Sequence, residues 1–154
     1  MTPAVDAVRR AKLEHRVLPY DHDPGTDAYG AEAAAALGLD PARVFKTLVA
    51  VVDDRPAVAL VPVERKLDLK ALARAAGGKR AEMARPADAE RWTGYVVGGI
   101  SPLGQRKRLA TFVDASATEA PLLYVSAGRR GLELELRVED LLRLTGARAA
   151  AIAA

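Results

Sequence analysis

Cysteine is absent from the 154 residues, which excludes disulfides, thiolate metal sites and a cysteine nucleophile. The absence fits a reducing compartment, and a cytoplasmic location is expected. Histidine occurs only at His15 and His22, so a Ser-His triad would have to use one of them. No apolar run approaches the roughly 20 residues that cross a bilayer. The opening MTPAVDAVRR has no long apolar stretch of the secretory type. Repeats, linkers and low-complexity segments are also missing, so one domain over residues 1–154 is expected.

What is present is ordinary for a folded protein: 50% hydrophobic and 28% charged residues. The net charge of +3 leans weakly toward a polyanionic partner. Seventeen arginines stand against six lysines. Where the background supplies arginine so freely, each retained lysine carries more information.

Thr2 before Pro3 reads as an N-cap with proline at the first helical position, and the helix is expected to run to about Leu13. HRVLPY is a short strand entering the turn-rich DHDPGTD. YGAEAAAALGLD is a helix stopped by Gly38. A strand over 44–52, a DDRP turn and the strand AVALVPV follow as a hairpin. Asp68 caps LKALARAAG, and PADAERW forms a short helix. GYVVGG, ATFVD, PLLYVS and LELEL read as strands, and VEDLLRLTG as the last helix. A regular βαβ alternation is not visible, so the expected class is α/β of the α+β type. That means a bent, mixed, mostly antiparallel sheet surrounded by helices.

Lys46 interrupts the apolar run ARVFKTLVAVV. Strand alternation puts it on one face with Val44, Leu48 and Ala50. A buried, unpaired ammonium has to reach solvent, find an anion or lose its proton. Spacing alone favours an edge-strand gatekeeper that snorkels outward. The other reading is a cation aimed into a ligand site.

GYVVGGISPLGQRKRL offers close backbone approach at Gly98 and Gly99 and a stiffening Pro102. Its free amides would suit an oxyanion, although an ordinary glycine-rich turn explains the composition as well. It is not a P-loop, because Gln105-Arg106 stands where Lys-Ser/Thr is required. In YVSAGRRG, Ser126 has no G-x-S-x-G around it. Asp21, His22 and Asp23 are adjacent, which suits a turn better than a metal, and no metal site is expected. Glu133 and Glu135 share one face of LELEL. Their default place is the wet side of a half-buried strand.

The order of these segments changes the odds. MTPAV, YDHDP, VFKTL, LDLKALARAAGGK, TGYVVGGISPLGQRKRL and YVSAGRRGLELEL together resemble the YbaK/EbsC family, over essentially the whole chain. The resemblance implies a compact editing domain related to those inserted in prolyl-tRNA synthetases. It implies a trans-editing deacylase that removes cysteine misattached to tRNA(Pro), a near-isostere that a proline pocket rejects poorly. By position, Lys46 matches the lysine on which the family's activity depends. Tyr20, Thr47, Gly99, Ile100, Ser101 and Ser126 match pocket residues, with the Gly128 amide and Glu133 beside them. Phe45 stands where relatives often carry tyrosine, Ala127 replaces a frequent glycine, and Glu133 replaces the aspartate of RGLD.

The resemblance further implies that the substrate supplies its own nucleophile, the cysteinyl thiol, with the protein positioning and stabilising charge. Amides over Gly99–Ser101 are candidates for the carbonyl oxygen. Arg106, Lys107 and Arg108, with Arg129 and Arg130, are expected to meet tRNA phosphates. Prolyl-tRNA synthetase is an expected partner; DNA, membranes and cofactors are not. Two alternatives stay open: a deacylase for another small amino acid such as alanine, and a non-catalytic module binding tRNA or the synthetase.

Overall fold

The first helix opens as its residues dictate. Thr2 is extended and its hydroxyl oxygen accepts from the Val5 amide at 3.2 Å, capping α1 (Pro3–Arg10). The computed structural model describes residues 1–25 and 29–154. In chain order the elements are β1 (His15–Pro19), α2 (Tyr29–Leu37), β2 (Phe45–Val52), β3 (Arg55–Pro62), α3 (Leu69–Ala75) and β4 (Ala81–Met83). Then come α4 (Pro86–Thr93), β5 (Ala110–Asp114), a 3-10 turn (Ala115–Glu119), β6 (Leu122–Arg129), β7 (Leu132–Arg137), α5 (Val138–Thr145) and β8 (Arg148–Ala150).

Two sheets form, one with order β1-β7-β6 and one with order β4-β2-β3-β5-β8. The first is antiparallel throughout. In the second, β3 with β5 and β5 with β8 run parallel, while β2 pairs antiparallel with both neighbours. The mixed, mostly antiparallel α/β architecture expected from the sequence is therefore present. Its bend is a seam: the sheets meet at a parallel bridge between Val44 and Tyr124.

Arg43 holds that seam. Its guanidinium donates to the carbonyls of Ser116 (2.8 Å), Ala117 (2.8 Å), Ala120 (3.3 Å) and Leu122 (2.7 Å). A planar fork of five N–H groups can serve several carbonyls at once.

Strand alternation sorts the core into two layers. Phe45, Val49, Leu60 and Val113 face the three-stranded sheet and pack with Leu123, Val125, Leu134 and Leu136. Ala50, Val52, Ala59, Val61 and Phe112 face the other way, under Ala71, Leu72 and Ala73 of α3. The β2–β3 hairpin turns on Asp53 and Asp54, at φ 46° and 67°. Two left-handed central residues give the I′ geometry whose twist suits paired strands.

Several expectations are corrected. GYVVGG is not a strand but a run of turns, because Glu90 Oε2 takes the Val97 amide (2.8 Å) and the Val96 carbonyl takes the Gly99 amide (2.8 Å). Those bonds close the segment on itself. The first helix stops at Arg10, since Lys12 takes φ 57°. The short strands β4 and β8 carry no sequence pattern of their own. Of the expected DHDPGTD turn, Thr26 and Asp27 lie outside the described residues. The remainder turns as expected, with Asp23 Oδ1 accepting from the Gly25 amide at 2.9 Å. Among the described residues no helix is long and apolar enough to cross a membrane.

Candidate functional site

The site grows out of a gap in the edge of β2. On one side β2 is paired along its whole length with β3, from Phe45↔Pro62 to Val52↔Arg55. On the other side β4 reaches only Ala50–Val52, and the Ala84 amide adds a last bond to the Val49 carbonyl at 3.0 Å. At the opposite end Val44 bridges to Tyr124, after which β6 diverges. Thr47 lies between. Peptide groups two residues apart share an edge, so the Thr47 N–H and C=O point the way Val49 does, into the gap.

A cavity of about 520 Å³ fills the wedge. It wraps the bare edge, which is why Lys46 and Thr47, on opposite faces of one strand, both line it. Much of the wall is apolar: Val63, Met83, Ala84, Pro86, Ala89 and Val97. Glycine matters at one end of α2, where a Cβ on Gly30 would run into the Val63 side chain.

Lys46 is half-buried, and burial followed by the nearby charge of Lys66 lowers its pKa below the ordinary lysine value. No carboxylate among the described residues pairs with it. The edge-strand expectation is corrected, since β2 is an interior strand; the segment of it left unpaired among the described residues opens on the cavity. The Thr47 hydroxyl is buried and has no hydrogen-bond partner.

Glu133 corrects the expectation of a wet strand face. It is 5% exposed, flanked across the strands by Leu18 and Ser126, and it lines the cavity. β7 is the middle strand of its sheet, so neighbours on both sides strip water from the carboxyl. Burial pushes its pKa up to about 8, and Oε2 has no partner. Glu135, two residues on, has a different fate: Arg16 bonds it in a fork at 2.8 and 2.7 Å, and that hydrogen bond holds its pKa low. Burial, with Glu133 and Glu32 adding less, raises the Tyr20 phenol.

Of the residues singled out in the sequence, Tyr20, Lys46, Thr47, Ile100, Ser126 and Glu133 line this one cavity. Gly99, Ser101 and Gly128 do not. The amide of Gly99 is spent on Val96, and a Cβ there would sit 2.7 Å from the Arg129 backbone, so its role is to let two loops touch. Ser101 is fully buried behind the wall, its hydroxyl accepting from the Leu103 amide at 3.3 Å. The Gly128 amide donates to Ser126 Oγ at 3.1 Å. Of the expected donor stretch Gly99–Ser101 only Ile100 lines the cavity, together with Gly98 just before it.

Arg106, Lys107, Arg108 and Arg129 are exposed, while Arg130 is half-buried and donates to the Val97 carbonyl at 2.7 Å. That bond makes Arg130 a support for the loop carrying Val97 and Gly98. The backbone of Arg106 and Lys107 is pinned to Thr93 and Trp92 at the end of α4. Phe45 is core and cavity wall together. Gly30, Ala31, Val63 and Met83 had no sequence signal, because small apolar residues acquire a role only when distant elements converge. His22 bonds Glu32 at 2.7 Å and so anchors α2 beside the mouth. No group of three or more metal-ligating side chains occurs among the described residues.

Comparison with known proteins gives a consistent answer. Residues 23–144 match the aminoacyl-tRNA editing domain family. The chain is 39% identical over 153 residues to a protein of Enterococcus faecalis named as a proposed Cys-tRNA(Pro)/Cys-tRNA(Cys) deacylase, EbsC, covering 98% of this chain and 92% of that one. An 83-residue stretch is 36% identical to proline–tRNA ligase of Nitratidesulfovibrio vulgaris, covering 54% of this chain and 14% of the ligase. A solved structure, a proposed trans-editing enzyme for prolyl tRNA synthetase, superposes with a TM-score of 0.83 at 26% identity over 99% of this chain and 95% of that one.

Proposed function

The chain belongs to the aminoacyl-tRNA editing domain family, and on that premise we propose that it is a trans-acting deacylase that clears Cys-tRNA(Pro). The observation that carries the reading is a cavity of suitable size whose polar contributors are Lys46, the hydroxyls of Tyr20, Thr47 and Ser126, and the acid Glu133, with no activated nucleophile among the described residues. Ser126 is bonded to the Gly128 amide, and the imidazole of His22 is bonded to Glu32. Ser126 and His22 are not joined to one another as a nucleophile–base pair. A volume near 520 Å³ falls in the range of about 300–1,000 Å³ of small-ligand sites.

With no activated nucleophile among the described residues, the cysteinyl substrate provides one. Its sulfur, as thiolate, attacks the ester carbonyl; the C–S bond forms as the bond to the ribose oxygen breaks. That oxygen takes up a proton, and a four-membered thiolactone leaves for hydrolysis in water. The protein contributes by holding sulfur and carbonyl carbon within reach of one another. Lys46 orients the aminoacyl-adenosine end through its ammonium, and the backbone at Gly98 and Ile100 faces the carbonyl oxygen.

The test is a panel of tRNAs mischarged with Cys, Ala or Ser, run with and without prolyl-tRNA synthetase. The expected result is cleavage of the Cys ester at least tenfold faster than the Ser and Ala esters. Equal rates would overturn thiol assistance, fastest cleavage of the Ala ester would reassign the amino acid, and tight tRNA binding without cleavage would point to a binding module.

A further inference from the structure

An acid that is buried, unpartnered and aimed into a cavity calls for an explanation, because burial strips it of water and gives nothing in return. Glu133 is such a group: 5% exposed, with Oε2 lacking any hydrogen-bond partner. The cation nearest in function, Lys46, does not supply one. No ion pair joins them, and the lowered Lys46 pKa arises from burial and from Lys66, with no contribution from Glu133. Acid and ammonium therefore occupy separate walls of the cavity, Glu133 on β7 and Lys46 on β2.

An aminoacyl ester has two polar ends that fit this division. One is the α-amino group, a cation when protonated; the other is the ribose and its phosphate, which are oxygen-rich and anionic. We propose that Glu133 is the receptor for the substrate's free α-ammonium group. The enzyme would then select esters of unblocked amino acids and reject N-acylated ones. This rests on the aminoacyl-ester reading above, and it adds a residue that reads the amino group.

The groups facing Glu133 are consistent with this role. Tyr20 lies at the end of β1 and Ser126 opposite on β6, and neither brings positive charge. Glu135, on the same face of β7, is occupied by Arg16 and Tyr124. Lys46 stands on β2, and no ion pair joins it to Glu133. An ammonium arriving from the substrate is then the first cation to approach Glu133, and it converts a protonated carboxyl into a carboxylate in an ion pair. Binding should release a proton near neutral pH, since the carboxyl of the free protein titrates at about 8.

The probes are 3′-deoxy-3′-(L-cysteinylamido)adenosine, whose amide cannot be cleaved as an ester, and its N-acetyl derivative. Calorimetry at pH 7 in two buffers of different ionisation enthalpy reads affinity and proton release together. For wild type the free-amine probe should bind at least tenfold tighter than the N-acetyl probe and release a proton. Glu133→Gln should compress that ratio toward one and abolish the release, with circular dichroism unchanged. Equal affinities in wild type, an undiminished ratio in Glu133→Gln, or no binding of the free-amine probe would each overturn the proposal. Turnover of Cys-tRNA(Pro) against N-acetyl-Cys-tRNA(Pro) separates the two readings. The thiol survives N-acetylation, so loss of cleavage with the blocked ester points to amine recognition. Failure to cleave either ester counts against the deacylase reading, and the probe ratio still decides the role of Glu133.

Discussion

At the scale of single residues, Lys46 and Glu133 both line the cavity, and neither has an ion-pair partner among the described residues. Lys46→Ala should lower deacylation of Cys-tRNA(Pro) by at least a hundredfold. It should leave stability within about 1 kcal/mol of wild type, because the ammonium makes no ion pair among the described residues and its removal breaks none. Initial rates and denaturant midpoints check both halves. Glu133 makes a pH-dependent prediction. Its folded pKa of about 8 stands above the ordinary 4.5, so the folded protein holds this proton more tightly than the unfolded chain. The stability it contributes is whole below pH 4.5 and is lost as pH rises toward 8. Glu133→Gln lacks that liability. The variant should therefore gain on wild type from pH 5 to pH 8.5, by at most about 5 kcal/mol, as read from urea midpoints across that range. A constant difference would mean that the carboxyl is not protonated in the fold.

At the scale of elements, the cavity exists because three strands fail to continue alongside one another. β4 ends above Thr47, β6 turns away beyond Tyr124, and only β3 follows β2 for its full length. The seam depends on Arg43, whose fork satisfies four carbonyls from the turn after β5 to the start of β6. Arg43→Ala should cost about 2–3 kcal/mol, since those acceptors lose a charged donor, and thermal melts will show it. The loop contact behind the wall is equally specific. Gly99→Ala places a methyl 2.7 Å from the Arg129 backbone, an overlap that side-chain movement cannot relieve. It should cost about 1–3 kcal/mol and raise KM by displacing Gly98 and Ile100.

At the scale of the molecule, the exposed cations Arg106, Lys107, Arg108 and Arg129 sit on two loops that touch through Gly99. Such cations bind a phosphate backbone by releasing counterions. Reversing Arg106, Lys107 and Arg108 to glutamate should weaken tRNA binding and flatten its salt dependence by about 0.7–0.9 log units per lost contact. Cleavage of cysteinyl-adenosine, which has no phosphate, should stay unchanged. Filter binding over a salt series and a parallel ester assay distinguish this from general damage.

How much was legible follows from what each feature depends on. The caps at Thr2 and Asp68, the Asp53-Asp54 hairpin and the alternation of β2 are local, so neighbouring residues state them directly. Lys46 was conspicuous because charge in an apolar strand breaks a period of two. GYVVGG read as a strand from its composition, but bonds to Glu90 and Val96 fold it into turns, and glycine content alone does not choose between the two. The sequence by itself determined the order of the helices and longer strands, the α/β class, the absence of a cysteine nucleophile and the lysine that lines the cavity. Only the tertiary structure decided that Glu133 is dry while Glu135 is paired, that Gly99 and Ser101 stand behind the wall, and that the Thr47 edge is bare. Each of these depends on water excluded or hydrogen bonds left unmade by strands distant in sequence, and no local pattern carries that information.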